Sequence, residues 1–245
     1  MRLPVALAVL MLALVTSPAH AQKLADEQSR RQALALYRTG QEFMSSEMFE
    51  KAIESFTGAI DRDPLLTVAH YQLGQAHMSL KRPASALQAY KSCLDAMEAL
   101  HHLEESNRFE VDKQRQEVVR ELRTELNQTS QKIDPLKRTV LEQRVQELEH
   151  ERTSSSSGPF RPPAFVLLAM GSAHFRNGDR DTAEAEWRAA VEANPKLGEA
   201  HNNLAVIYMQ SGRKAEAENA VKLAEKAGFK VNAQLKEDIK KLPTP

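Results

Sequence analysis

At 245 residues the chain has room for one or two domains. It is 42% hydrophobic but only 5% aromatic, a balance that suits Ala- and Leu-rich helices better than sheets. Its 33 basic and 33 acidic residues cancel. No basic excess is left to neutralise phosphates, which disfavours a nucleic-acid partner.

The first 21 residues read as an export signal. Arg2 supplies a positive start, Val5–Val15 an apolar run, and Ala19-His20-Ala21 a small-x-small cleavage site before Gln22. The run is too short to cross about 30 Å of hydrocarbon as an anchor. The mature form, cut between Ala21 and Gln22, is therefore expected to be exported, periplasmic or extracellular, and not membrane-spanning. It would carry one cysteine, Cys93, which cannot form an internal disulfide.

Beyond a polar lead, segment 22–98 repeats itself. Set over each other at an interval of 34, Gly40 falls on Gly74, Ala52 on Ala86, Phe56 on Tyr90 and Ala59 on Cys93. A fixed period of this length, with small residues recurring, marks stacked helix–turn–helix units. Leu36, Gly40 and Phe43 share one helical face, as do Ala52, Phe56 and Ala59, and Asp63-Pro64 stops the second helix. A helical glycine costs about 1 kcal/mol against alanine, so its return points to a packing requirement. Cys93 occupies an alanine column and reads as a small buried residue.

Between 99 and 152 the echo stops. This stretch lacks glycine, has a single proline and is dense in Glu, Arg, Gln and Leu, a composition for long helices. Val111, Val118, Leu122 and Leu126 form one stripe, interrupted by Arg115, Glu125 and Thr129; Val140 or Leu141, with Val145 and Leu148, forms another. With Asp134-Pro135 as the break, they predict a coiled-coil-like helical hairpin. Residues 153–163, with four serines and three prolines, read as a flexible linker. The 34-residue interval then returns over 164–230: Gly171 falls on Ala205, Ala183 on Ala217, Trp187 on Val221 and Ala190 on Ala224. In 231–245, Val231, Leu235 and Ile239 predict an amphipathic helix capping the last unit.

These columns resemble the tetratricopeptide repeat. The first unit has Leu36, Thr39-Gly40, Phe43, Ala52, Phe56, Ala59 and Pro64; the third has Leu167, Met170-Gly171, His174, Ala183, Trp187, Ala190 and Pro195. The second departs at Glu98 and the fourth at Phe229, where the pattern has proline. The resemblance implies an all-α solenoid of two repeat pairs, interrupted by the hairpin, whose first helices line a concave groove. The matching groove positions are Leu34, Tyr37, Gln41 and Met44, then Val68, Tyr71, Gln75 and Met78. In the second pair they are Phe165, Leu168 and Phe175, then Asn202, Val206 and Met209. Tyr and Met offer large, adaptable contact area for a peptide or helix. The same residues would equally serve to pack against the insertion.

No nucleophile motif, phosphate loop or cysteine pair occurs, so no catalytic residue, metal site or cofactor is expected. His70, His77, His174 and His201 fall in repeat core columns and read as structural. The expected function is a non-catalytic exported scaffold binding an envelope protein or peptide. The alternatives are a homo-oligomer assembled through 99–152 and, less favoured, a hydrolase or metal protein.

Overall fold

A computed structural model describes residues 24–128, 135–151 and 159–243. The expected export signal with its Ala21–Gln22 cut, and most of the Ser-rich linker, lie outside them. Every regular element among the described residues is a helix. α1 (Glu27–Ser45) and α2 (Phe49–Arg62) form the first unit; α3 (Thr67–Ser79) and the start of α4 (Pro83–Gln128) form the second. α5 (Pro135–Glu151) follows. The second pair comprises α6 (Ala164–Arg176), α7 (Arg180–Ala193), α8 (Gly198–Gln210) and α9 (Lys214–Lys226), closed by α10 (Ala233–Lys241).

The helix ends follow from local chemistry. Asp26, Asp179 and Asn232 cap α1, α7 and α10 by accepting from Ser29, Thr182 and Gln234 backbone amides. α2 and α7 end alike, on Asp63 and Asn194 in extended conformation before a proline. Within each unit the turn passes through a left-handed residue: Glu47 (φ 58°), Lys81 (57°), Gly178 (88°) and Gly212 (71°). Glycine adopts that conformation freely, whereas Glu47 and Lys81 each bear roughly 1–2 kcal/mol of strain.

The recurrent glycines mark the closest helix crossings. A Cβ on Gly40 would run into the Phe56 ring, one on Gly74 into Tyr90, and one on Gly171 into Trp187, each well under 3.0 Å away. Phe56 and Tyr90 are almost entirely enclosed. In the fourth unit the ring shrinks to Val221, and Ala205 takes the glycine's place in the same buried cluster. Backbone bulk and ring size are exchanged one for the other. The column is therefore kept by volume rather than by residue identity.

The two pairs form one continuous stack. α6 packs directly on the first part of α4, where Met78, Tyr90, Cys93, Phe165 and Val166 share a cluster. Phe165 meets Tyr71 edge-on at 5.0 Å between ring centres. The insertion thus leaves the solenoid and returns without breaking it. α4 also runs through 98/99 without interruption, so one helix serves both repeat and hairpin.

The distal part of α4 turns back onto α1. Glu27 pairs with Lys113, Arg30 with Glu117, Arg38 with Glu121, and Gln41 bonds Glu125. These partners advance together, so the two segments run parallel. The proximal part of α4 is antiparallel to α3, with Tyr90 against Gly74 and Cys93 against Thr67. Because α1 and α3 point the same way, the axis of α4 is not straight but bends between Leu100 and Val111, whose flanking turns line one cavity.

Gly74→Ala is expected to destabilise the fold by about 1–3 kcal/mol, because the methyl group meets a ring with no room to withdraw. Chemical denaturation measures this. Combining it with Tyr90→Leu, which vacates the contact, should cost less than the sum of the two single changes.

Candidate functional site

The concave face is where the sequence places partner-binding residues, and over the first pair the chain fills that face itself. Val118, Leu122, Leu141, Val145 and Leu148 of the hairpin share a buried cluster with Ala33, Tyr37 and Val68, and Leu34 and Met44 pack against it. Tyr37 is 1% exposed. Its hydroxyl donates to Glu125 Oε2 at 3.2 Å, and Gln41 Nε2 donates to the same carboxylate oxygen at 2.6 Å. Burial, with the Glu125 charge adding to it, pushes the Tyr37 phenol well above its ordinary range. These residues are not on offer to a partner while the hairpin is docked. Tyr37 and Val68 are buried in the cluster that holds the insertion and Gln41 bonds Glu125, while Leu34 and Met44 pack against that cluster and remain half-buried.

The docking has a polar code on an apolar ground. Arg38 grips the Glu121 carboxylate with Nε at 2.7 and 2.8 Å and a second nitrogen at 2.6 Å, and Arg30 Nε reaches Glu117 at 3.2 Å. Glu117, Glu121 and Glu125 recur every four residues and so share one helix face. Glu121 and Glu125 are both buried. Buried carboxylates are tolerated because guanidinium, phenol and amide donors meet them. Glu125 and Arg115, which interrupt the apolar stripe in the sequence, are buried in the docked hairpin.

Farther along, the Tyr71 ring is caught between Tyr90 and Phe165. Burial raises its phenol pKa as well. Met78, Phe165 and Leu168 are buried. Met78 and Phe165 are covered where α6 joins the stack, with Val140 of α5 packed beside them, and Leu168 belongs to the core of the second pair. These positions too serve the fold. Phe175, Asn202, Val206 and Met209 are half-buried on α6 and α8, as Leu34, Gln41 and Met44 are on α1, but among the described residues the hairpin clusters do not reach them.

The histidine columns acquire a mechanism. His70 Nε2 meets the Pro64 carbonyl at 2.9 Å and His201 Nε2 meets that of Pro195 at 3.0 Å, so each ties its helix to the preceding turn. Burial lowers the His70 pKa, keeping it neutral and able to donate. Cys93 Sγ donates to the Thr67 carbonyl at 3.3 Å, and burial pushes its thiol up to about 12. Asp63 is buried at the end of α2. Its carboxylate accepts from Leu65 N at 3.2 Å and Gln114 at 3.1 Å, and burial raises its pKa.

A family model described as "Tetratricopeptide repeat" matches residues 37–96 and 168–228, the same two arrays. Both helix-pair arrays are tetratricopeptide repeats. Among curated proteins, the photosystem I assembly protein Ycf3 of Rippkaea orientalis is 34% identical over 80 residues, 33% of this chain and 46% of that protein. Ycf3 of Cyanophora paradoxa is 34% identical over 62 residues, 25% of this chain and 36% of that protein. The chain thus spans less than half the length of these relatives. Among solved structures, the type IV pilus biogenesis factor PilW is 16% identical, covering 89% of this chain and 87% of its own, at a TM-score of 0.43. In this chain the hairpin between the second and third units packs against the first pair.

Two outcomes check this arrangement. Tyr37→Ala should cost about 3–5 kcal/mol, as loss of a buried ring does, and calorimetry should show a lower-melting or non-cooperative transition; a groove-surface ring would leave the melt unchanged. Cys93 should resist an aromatic disulfide reagent at pH 8 in the native protein and react promptly once it is unfolded.

Proposed function

We propose that this chain is an exported, non-catalytic scaffold that binds a protein partner on the stretch of concave face over α6 and α8. The observation that carries this is that the hairpin residues cluster with the first pair, around Tyr37 and Val68, and not with Phe175, Val206 and Met209, which lie half-buried with Asn202 on α6 and α8. An aromatic, a valine and a methionine beside an amide make an adaptable apolar strip with one orienting polar group. Tetratricopeptide repeats mediate protein–protein interactions, and Ycf3 and PilW are named for assembly and biogenesis; an assembly role for this chain is the corresponding proposal. Export rests on the pattern of residues 1–21, and the partner would then be an envelope protein.

A non-catalytic role is supported by where the perturbed groups lie. Tyr37, Tyr90 and Cys93 are enclosed, and Asp63 and His70 are engaged in helix-end bonds. Self-assembly through 99–152 is less favoured. The apolar stripe that would join two copies is buried against α1 and α3 of the same chain.

A photoreactive benzoylphenylalanine at Val206 should give a discrete higher-mass adduct in the envelope fraction. The same group at Lys222, exposed on α9, should not, and Met209→Asp should abolish the Val206 adduct. Equal adducts at both positions, or an Ala21–Gln22 bond left intact in protein found only in the cytoplasm, would sink the reading.

A further inference from the structure

A cavity of about 530 Å³ lies where the hairpin meets the repeats, between the middle of α4, the C-terminal half of α5, the α2–α3 turn and residues 159–163. That volume falls within the roughly 300–1,000 Å³ of small-molecule sites. It is distinct from the strip on α8, and the argument for it is independent of that strip.

Its walls divide by chemistry. Leu65, Met97, Val111, Val118 and Leu148 make an apolar floor, all of them buried. The polar wall carries Arg115, Arg144 and Arg161 with His101 and His150, and among the described residues no carboxylate lines the cavity. In a chain with zero net charge this is a concentrated positive lining. Acids do stand behind it: Asp112 pairs with Arg115 at 2.6 Å and Glu147 with Arg144 at 3.4 Å.

Two deeply buried side chains here have hydrogen-bonding atoms without a partner. Arg144, 6% exposed, reaches Thr67 Oγ1 only at 3.5 Å and Glu147 only at 3.4 Å, and its Nε meets no acceptor. Charge-assisted bonds from guanidinium normally close to about 2.7–2.9 Å. Gln114, 4% exposed, gives its amide nitrogen to Asp63, while its Oε1 meets no donor. A buried guanidinium left short of acceptors is unfavourable, and an anion in the adjoining space would relieve it.

We propose that this cavity binds a single-chain amphipathic carboxylate, chemically a medium-chain fatty acid. The carboxylate accepts from Arg144, the tail lies along Val111, Val118 and Leu148, and Arg161 stands at the rim. An ordered water serves Gln114 Oε1. The occupant touches α4, α5 and the start of α3 together, so it fastens the hairpin in the groove.

Titration of the full chain with dodecanoate below its micelle concentration, followed by calorimetry, tests this. Saturable one-to-one binding is expected, with dodecan-1-ol at least about tenfold weaker, the size of one charge-assisted bond. Arg144→Met should weaken dodecanoate by about the same factor, and Leu148→Trp, which fills the floor, should abolish binding. Should either variant fold poorly by circular dichroism, the exposed rim substitution Arg161→Ala gives a severalfold loss instead. Absence of saturable binding, equal affinity for acid and alcohol, or full affinity in folded Leu148→Trp overturns the proposal.

Discussion

The whole architecture depends on how near two helices may come. At Gly40, Gly74 and Gly171 there is no Cβ, and the space goes to the ring of Phe56, Tyr90 or Trp187 from the partner helix. That contact sets the spacing within each unit, and the spacing sets the curvature of the stack. A concave face follows from the curvature. The fourth unit reaches the same fit with Ala205 against the smaller Val221, which shows that the constraint is steric volume shared between two backbones.

A concave apolar face exposed to water is unfavourable, and this chain covers part of it from within. The hairpin brings an apolar stripe, as a peptide ligand would, together with three glutamates spaced by one helical turn. Arg30, Arg38, Tyr37 and Gln41 receive them. The acids give the docking register: a slide of one residue along α4 would turn them about 100° away from their donors. Apolar burial supplies most of the driving force, and the buried ions select one position for it. The insertion is thereby part of the fold of the first pair.

Some of the candidate site was legible in the sequence, and the part that was not has a physical explanation. The groove columns were identifiable because a 34-residue period fixes which side of a helix each residue occupies. Whether that side meets solvent, a partner or the same chain depends on contacts 77 to 88 residues apart, and no local pattern encodes those. The signal that was available lay in the polar residues breaking the hairpin stripe. Glu125 looked like a flaw in a coiled coil and turned out to be the acceptor for Tyr37 and Gln41. Tyr71 was misplaced for a related reason, since its cover, Phe165, belongs to a helix beyond the insertion.

Composition and periodicity alone determined the helical class, the four units, the close crossings at glycine and the small-residue role of Cys93, because each of these is set within one helix or one pair of neighbouring helices. The tertiary structure alone decided that the two pairs stack as one solenoid, that α4 bends, and that the hairpin packs against the first pair. It also formed the arginine-lined cavity, whose walls come from segments scattered between Leu65 and Pro163. These outcomes turn on which distant surfaces complement each other in shape and charge, and that is settled only when the chain closes on itself.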